Sequence, residues 1–190
     1  MLPPALSNGV LAGLSLLLLA CTCELVYMDL AYLRQDPNVT PHGIVSYELA
    51  GRADAVSAIF RSWGAPGQRA ALYVQGLDNL YLLLYPAWFA ALLSRSARAA
   101  PPGPLAFAFA GGAWGALLAV PLDWLENHRL TRMLLHGQAS KADALWARRF
   151  AIAKFAVVAV SVLLLAVRAA LVLSGKALAA PRQRSSGRSD

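Results

Sequence analysis

Four apolar runs, at about 6–30, 70–93, 105–125 and 145–173, limit what this chain can become more than any other feature. Each is close to the twenty or so residues needed to cross the hydrocarbon core of a bilayer. In hydrocarbon every backbone N–H and C=O has to be satisfied within the segment or across a closed barrel, so runs of this length are helices. The expected fold is all-α: a four-helix transmembrane bundle over residues 1–175, then a basic tail at 176–190 that is too polar to pack. Only 14% of the residues are charged, against about a quarter in soluble domains.

The longest segment between runs separates the first from the second. Within it Leu49, Ala53, Val56, Phe60 and Trp63 recur at helical spacing. This predicts an amphipathic surface helix over 47–63, ended by Gly64-Ala65-Pro66-Gly67. Gly9-x-x-x-Gly13 in the first run, and Gly111, Gly112 and Gly115 in the third, offer small faces for close helix approach.

The polar residues inside the runs carry the functional signal. Asp123, Glu126 and Asn127 stand at i, i+3 and i+4 and share one helix face, with Trp124 well round from it. Asp78 and Asn79 lie inside the second run, Asp78 about 12 Å along the axis. A charged aspartate at that depth costs ~2.5–3.5 kcal/mol unless paired, protonated or wet. Glu24 lies deeper in the first run than Asp29, which is expected in water at the interface. Lys154 lies in the fourth run. Pro86 is expected to kink the second helix.

Four spans put both ends of the chain on one side, side A. The helices alternate in direction, yet Glu24, Asp78, Asp123, Glu126 and Lys154 all fall in the half of the membrane towards the opposite side, side B. Only Arg168 lies within the spans on the other half, close enough to its end to reach the headgroups. One polar chamber open towards side B follows, walled by Glu24, Asp78, Asn79, Asp123, Glu126, Asn127 and Lys154 and suited to a small amphiphilic or lipid-derived molecule. The competing reading is a non-catalytic scaffold or accessory subunit. There Lys154 pairs with Asp78 or Asp123 to hold the helices, and the glycine faces meet a partner membrane helix. A chamber requires open volume between Asp78 and Asp123; a scaffold requires direct Asp78–Lys154 contact and none. Ion or proton movement is a third use, with no acid on the side-A half to continue a path.

Other classes find little support. The net charge of +7 comes from bases in loops and tail, which suits anionic headgroups rather than nucleic acid. His42, His128 and His136 lack metal-ligand spacing. Cys21 and Cys23 point to different helix faces, so they suit neither a mutual disulfide nor a shared metal. No nucleophile-elbow, zinc-protease or phosphate-loop motif is present, and none for a cofactor. General acid–base work is the one catalytic chemistry on offer. No Lys or Arg precedes Arg34, so the first run is expected to be an uncleaved helix. The dense bases of the short loop at Arg95 and Arg98 and of the tail favour a cytoplasmic side A. The Ala/Arg-rich usage suggests a bacterial source and hence the inner, cytoplasmic membrane.

Tyr47-Glu48-Leu49-Ala50, Ile59-Phe60-Arg61-Ser62-Trp63, Gly76-Leu77-Asp78-Asn79, Asp123-Trp124-Leu125-Glu126-Asn127 and Lys154-Phe155 together resemble a group of uncharacterised bacterial four-helix membrane proteins, which implies the fold and no activity. More loosely, Met28-Asp29-Leu30 and Asp78 followed by Pro86 look similar in placement to the emopamil-binding (EXPERA) superfamily. That resemblance implies an acidic membrane cavity for amine-bearing or sterol-like molecules. The Asp123–Asn127 stripe and Lys154 depart from the pattern, and a lysine in the chamber disfavours a cationic ligand.

Overall fold

The computed structural model describes residues 2–3 and 6–179, those from 176 on by backbone only. The helices are α1 (Asn8–Met28), α2 (Ile44–Glu48), α3 (Ala53–Ala99), α4 (Pro104–Leu117), α5 (Ala119–His136) and α6 (Lys141–Ala179), with a π-helical turn at Asp29–Leu33 after α1. No strand occurs among the described residues. Four helical stretches, Asn8–Leu33, Ala53–Ala99, Pro104–His136 and Lys141–Gly175, are long and apolar enough to cross a membrane, as expected of an integral membrane protein. Helix α6 runs past Gly175 to Ala179; the rest of the expected basic tail lies outside the described residues.

Two prolines explain where the long helices change direction. Pro121 has no N–H to offer the Leu117 carbonyl, and α4 gives way to α5 at Leu118. Pro66 likewise has none for Ser62. There Gly64 leaves helical geometry at φ 57°, ψ −168°, and the Gln68 side chain donates to the freed Phe60 carbonyl at 3.0 Å. Gly64-Ala65-Pro66-Gly67 therefore breaks α3 into two helices, and the first of them ends there as the sequence predicts. Pro86 brings no such change: Gly64 is the one residue inside α3 off helical φ/ψ.

The amphipathic helix expected over 47–63 is divided. Its second part holds the stripe, with Val56, Phe60 and Trp63 buried at the start of α3. Its first part is the separate short helix α2, and Leu49 of the stripe is 36% exposed. The chain breaks between them at Gly51, φ +67°, where a Cβ would strike the Arg148 side chain.

Helix α2 is tied down at both ends. The Asp29 carboxylate accepts from the Ile44 N–H at 2.7 Å and from Arg34 Nε at 2.7 Å. Asp29 is thus buried rather than solvated: the π-turn aims it at the N–H groups that begin α2, where a carboxylate is favoured. Tyr47 donates to the Leu130 carbonyl at 2.9 Å and packs edge-on against Trp63. These residues, with Leu33, Val56, Phe60, Met133 and Ala147, form the main core at the side-B end. The spans themselves expose Leu16, Phe107 and Leu163, apolar surface that suits lipid.

Only one of the glycine faces packs closely. A Cβ on Gly112 would meet Leu164 of α6, whereas Gly9, Gly13, Gly111 and Gly115 have open space. The tightest glycine is Gly43, at φ +53° with its missing Cβ directed into the Asp29 carboxylate. Gly43→Ala is expected to lower the thermal midpoint in detergent, at a cost of about 1–3 kcal/mol. Gly13→Ala should leave it unchanged; equal midpoints for the two variants would refute the Asp29 latch.

Candidate functional site

Lys154, on α6, is the centre of the polar group. Its Nζ lies 3.1 Å from Asp123 Oδ1, 2.8 Å from Glu126 Oε2 and 3.7 Å from Glu48 Oε2. The Asp123 contact is a hydrogen bond; Glu126 stands at ion-pair distance but outside hydrogen-bond angles. Tyr85 of α3 donates to the other Asp123 oxygen at 2.9 Å. Asn127 donates to Asp78 Oδ2 at 2.8 Å.

The helices place these groups by simple periodicity. Asp123, Glu126, Asn127 and Leu130 are all buried on the inner face of α5, and Trp124 is 56% exposed outside. Asp78 and Tyr85 are two turns apart on the inner face of α3. Glu48 comes from α2, brought over the cluster by the Asp29 and Tyr47 contacts.

Four carboxyls thus face one ammonium. Oε1 of Glu126 and Oδ1 of Asn127 have no hydrogen-bond partner, so acceptors are in excess. Burial raises the Glu48 carboxyl above its ordinary value of 4.5, against the opposing pull of Lys154. A raised value favours the protonated carboxyl, which can donate as well as accept.

A cavity of about 330 Å³ adjoins the cluster. Glu48, Asp78, Asp123 and Lys154 line its polar end. Leu18 of α1, Tyr81, Trp88 and Phe89 of α3, and Phe155 and Val158 of α6 line the rest. From Asp78 to Trp88 is about 15 Å of helix. Helix α1 packs chiefly on α3, so the cavity is a cleft between α1 and α6 with α3 as its floor.

Five of the residues expected at the chamber, Asp78, Asp123, Glu126, Asn127 and Lys154, do come together. Lys154 pairs with Asp123, not with Asp78. Glu24 and Asn79 lie apart. Glu24 accepts from Tyr73 at 3.2 Å on the outer side of α1 and α3. Asn79 is exposed and donates to the Gln75 carbonyl at 2.8 Å, because one residue's rotation carries it off the face that holds Asp78. Sequence reasoning missed Glu48 and Tyr85. Tyr85 had a findable signal: it lies seven residues after Asp78, on the same helical face.

Comparison with protein-family models, with curated proteins and with solved structures found no match for the chain.

Removing the ammonium should do more harm than removing one acid. Lys154→Met leaves buried carboxylates without a counter-charge and should cost about 3–5 kcal/mol, read as denaturant resistance in detergent. Glu48→Gln should cost much less, since it removes one acid from the excess and keeps the size of the side chain. Because the Glu48 value is raised, the folded state holds its proton where the unfolded state has lost it. Its contribution is full below about 4.5 and declines as pH rises through the folded value. Glu48→Gln should flatten that decline; an unaltered pH profile would exclude the raised Glu48 value.

Proposed function

We propose that this protein binds a small amphiphile, or a lipid-derived molecule, in the cleft between α1 and α6. The observation that carries this reading is open volume between Asp78 and the Asp123–Lys154 pair, where internal pairing alone would leave none. The cleft has a polar end and an aromatic length, which matches a molecule with a polar head and an apolar body. The head fits best if it donates hydrogen bonds. Lys154 is already matched by Asp123 and Glu126, and the surplus groups are acceptors. An amine or a hydroxyl therefore suits the site, and the lysine is less of an obstacle to a cation than the sequence suggested. Such a ligand agrees with the amine-bearing class that the EXPERA-like layout implies.

In this reading the protein is a multi-pass four-helix bundle of a bacterial cytoplasmic membrane, with side A in the cytoplasm. The kinked start of α3, with α2 beside it, covers the bundle at the side-B surface. A protonated Glu48 in the lining would allow acid–base chemistry on a bound head, though binding alone accounts for the arrangement.

A scaffold reading has its own observation: Lys154 is satisfied by side chains of this chain. The open faces at Gly9 and Gly13 are then where a partner membrane helix would sit. Two variants separate the readings. Wild type, Asp78→Asn and Val158→Trp are purified in mild detergent, and co-purifying small molecules are identified by mass spectrometry. The chamber reading expects a discrete amphiphile on wild type, reduced about tenfold in Asp78→Asn by loss of a charged hydrogen-bond acceptor and excluded by Val158→Trp. The same lipids in the same amounts on all three would transfer the weight to the scaffold.

A further inference from the structure

A second cavity, of about 470 Å³, lies at the side-A end of the same helices. Trp88, Leu92 and Arg95 of α3 and Leu165 and Arg168 of α6 line it. Trp88 also lines the chamber, so one residue borders both cavities, and its indole donates a 2.9 Å hydrogen bond to Ser15.

The charges here are unlike those at the other end. Arg95 donates to the Leu6 carbonyl at 2.6 Å, which uses part of one guanidinium and leaves its remaining donors. Arg168 has no hydrogen-bond or ion-pair partner among the described residues. No Asp or Glu occurs in this half of the four spans, at 8–18, 86–99, 104–118 or 158–175. Arg98, outside the groove, donates to the Pro3 carbonyl at 2.7 Å. Two guanidiniums thus line one groove with no carboxylate among the described residues to neutralise them.

The missing charge has to be anionic, and the wall limits what carries it. Leu92 and Leu165 continue from the guanidiniums towards Trp88, so an inorganic anion would leave that apolar length uncovered. The chain's own tail does not fit, since 176–190 brings Lys176, Arg182, Arg184 and Arg188 against a single Asp190. We infer that this groove binds one anionic diacyl phospholipid, its phosphate held by Arg95 and Arg168 and one acyl chain lying along Leu92 and Leu165 to Trp88. The planar fork of arginine matches phosphate oxygens two at a time. The inference is independent of the chamber reading, because Arg168 takes no part in that site.

Full-length protein in nanodiscs of equal phosphatidylglycerol and phosphatidylcholine, released into detergent and weighed by native mass spectrometry, tests it. Wild type should retain one phosphatidylglycerol in preference to phosphatidylcholine. Arg168→Gln should weaken that retention about tenfold, as expected for one charge-assisted contact, and Leu165→Trp should abolish it by filling the groove. Arg149→Gln should change nothing, since Arg149 stacks on Trp146 towards side B. Retention unaffected by Arg168→Gln, an equal loss in Arg149→Gln, or no preference for phosphatidylglycerol in wild type would each overturn the inference.

Discussion

A single buried ammonium holds the polar half of this protein together. In a low-dielectric interior, Lys154 and the acids around it are each costly alone. Together Lys154, Asp123, Glu126 and Glu48 neutralise much of that cost, and they do so only if α2, α5 and α6 hold fixed positions. Tyr85 and the Asn127–Asp78 pair bring in α3. The cluster therefore sets helix register at membrane depth, where apolar packing is weak: the surfaces there are Leu, Val and Ala that lipid solvates as well as a neighbouring helix does.

The reach of that cluster depends on a small structure outside the spans. Asp29 begins the π-turn, accepts from Arg34 and from the start of α2, and leaves no room for a side chain at Gly43. Tyr47 fixes the other end of α2 on Leu130. Glu48 is delivered over Lys154 as a consequence, and the cleft gains its polar roof. The side-B core of Leu33, Val56, Phe60, Trp63 and Met133 gives this assembly the packing that the spans lack.

The two ends of the cleft are opposite in charge. One has carboxyls in excess of a single lysine, and the other has arginines with no carboxylate near them. Trp88 borders both cavities. Helix α1 leans on α3 and leaves one side of α6 uncovered, so the cleft has an open side along that length.

Much of this was legible from the residues alone. Apolar runs of bilayer length dictate helices, because hydrocarbon offers no other partner for the backbone. Helical spacing put Asp123, Glu126 and Asn127 on one face, and alternation of direction put the deep charges in one half. Tertiary structure decided which charges meet. Glu24 and Asp29 differ by five positions on one helix, yet the first faces outwards and the second is buried, because the π-turn and α2 exist only once the chain folds back. Glu48 belonged to no periodic stripe, and nothing local to it revealed a lysine more than a hundred residues away. Periodicity reports which face a residue occupies; which neighbour that face meets depends on how the helices pack, and only the folded chain decides that.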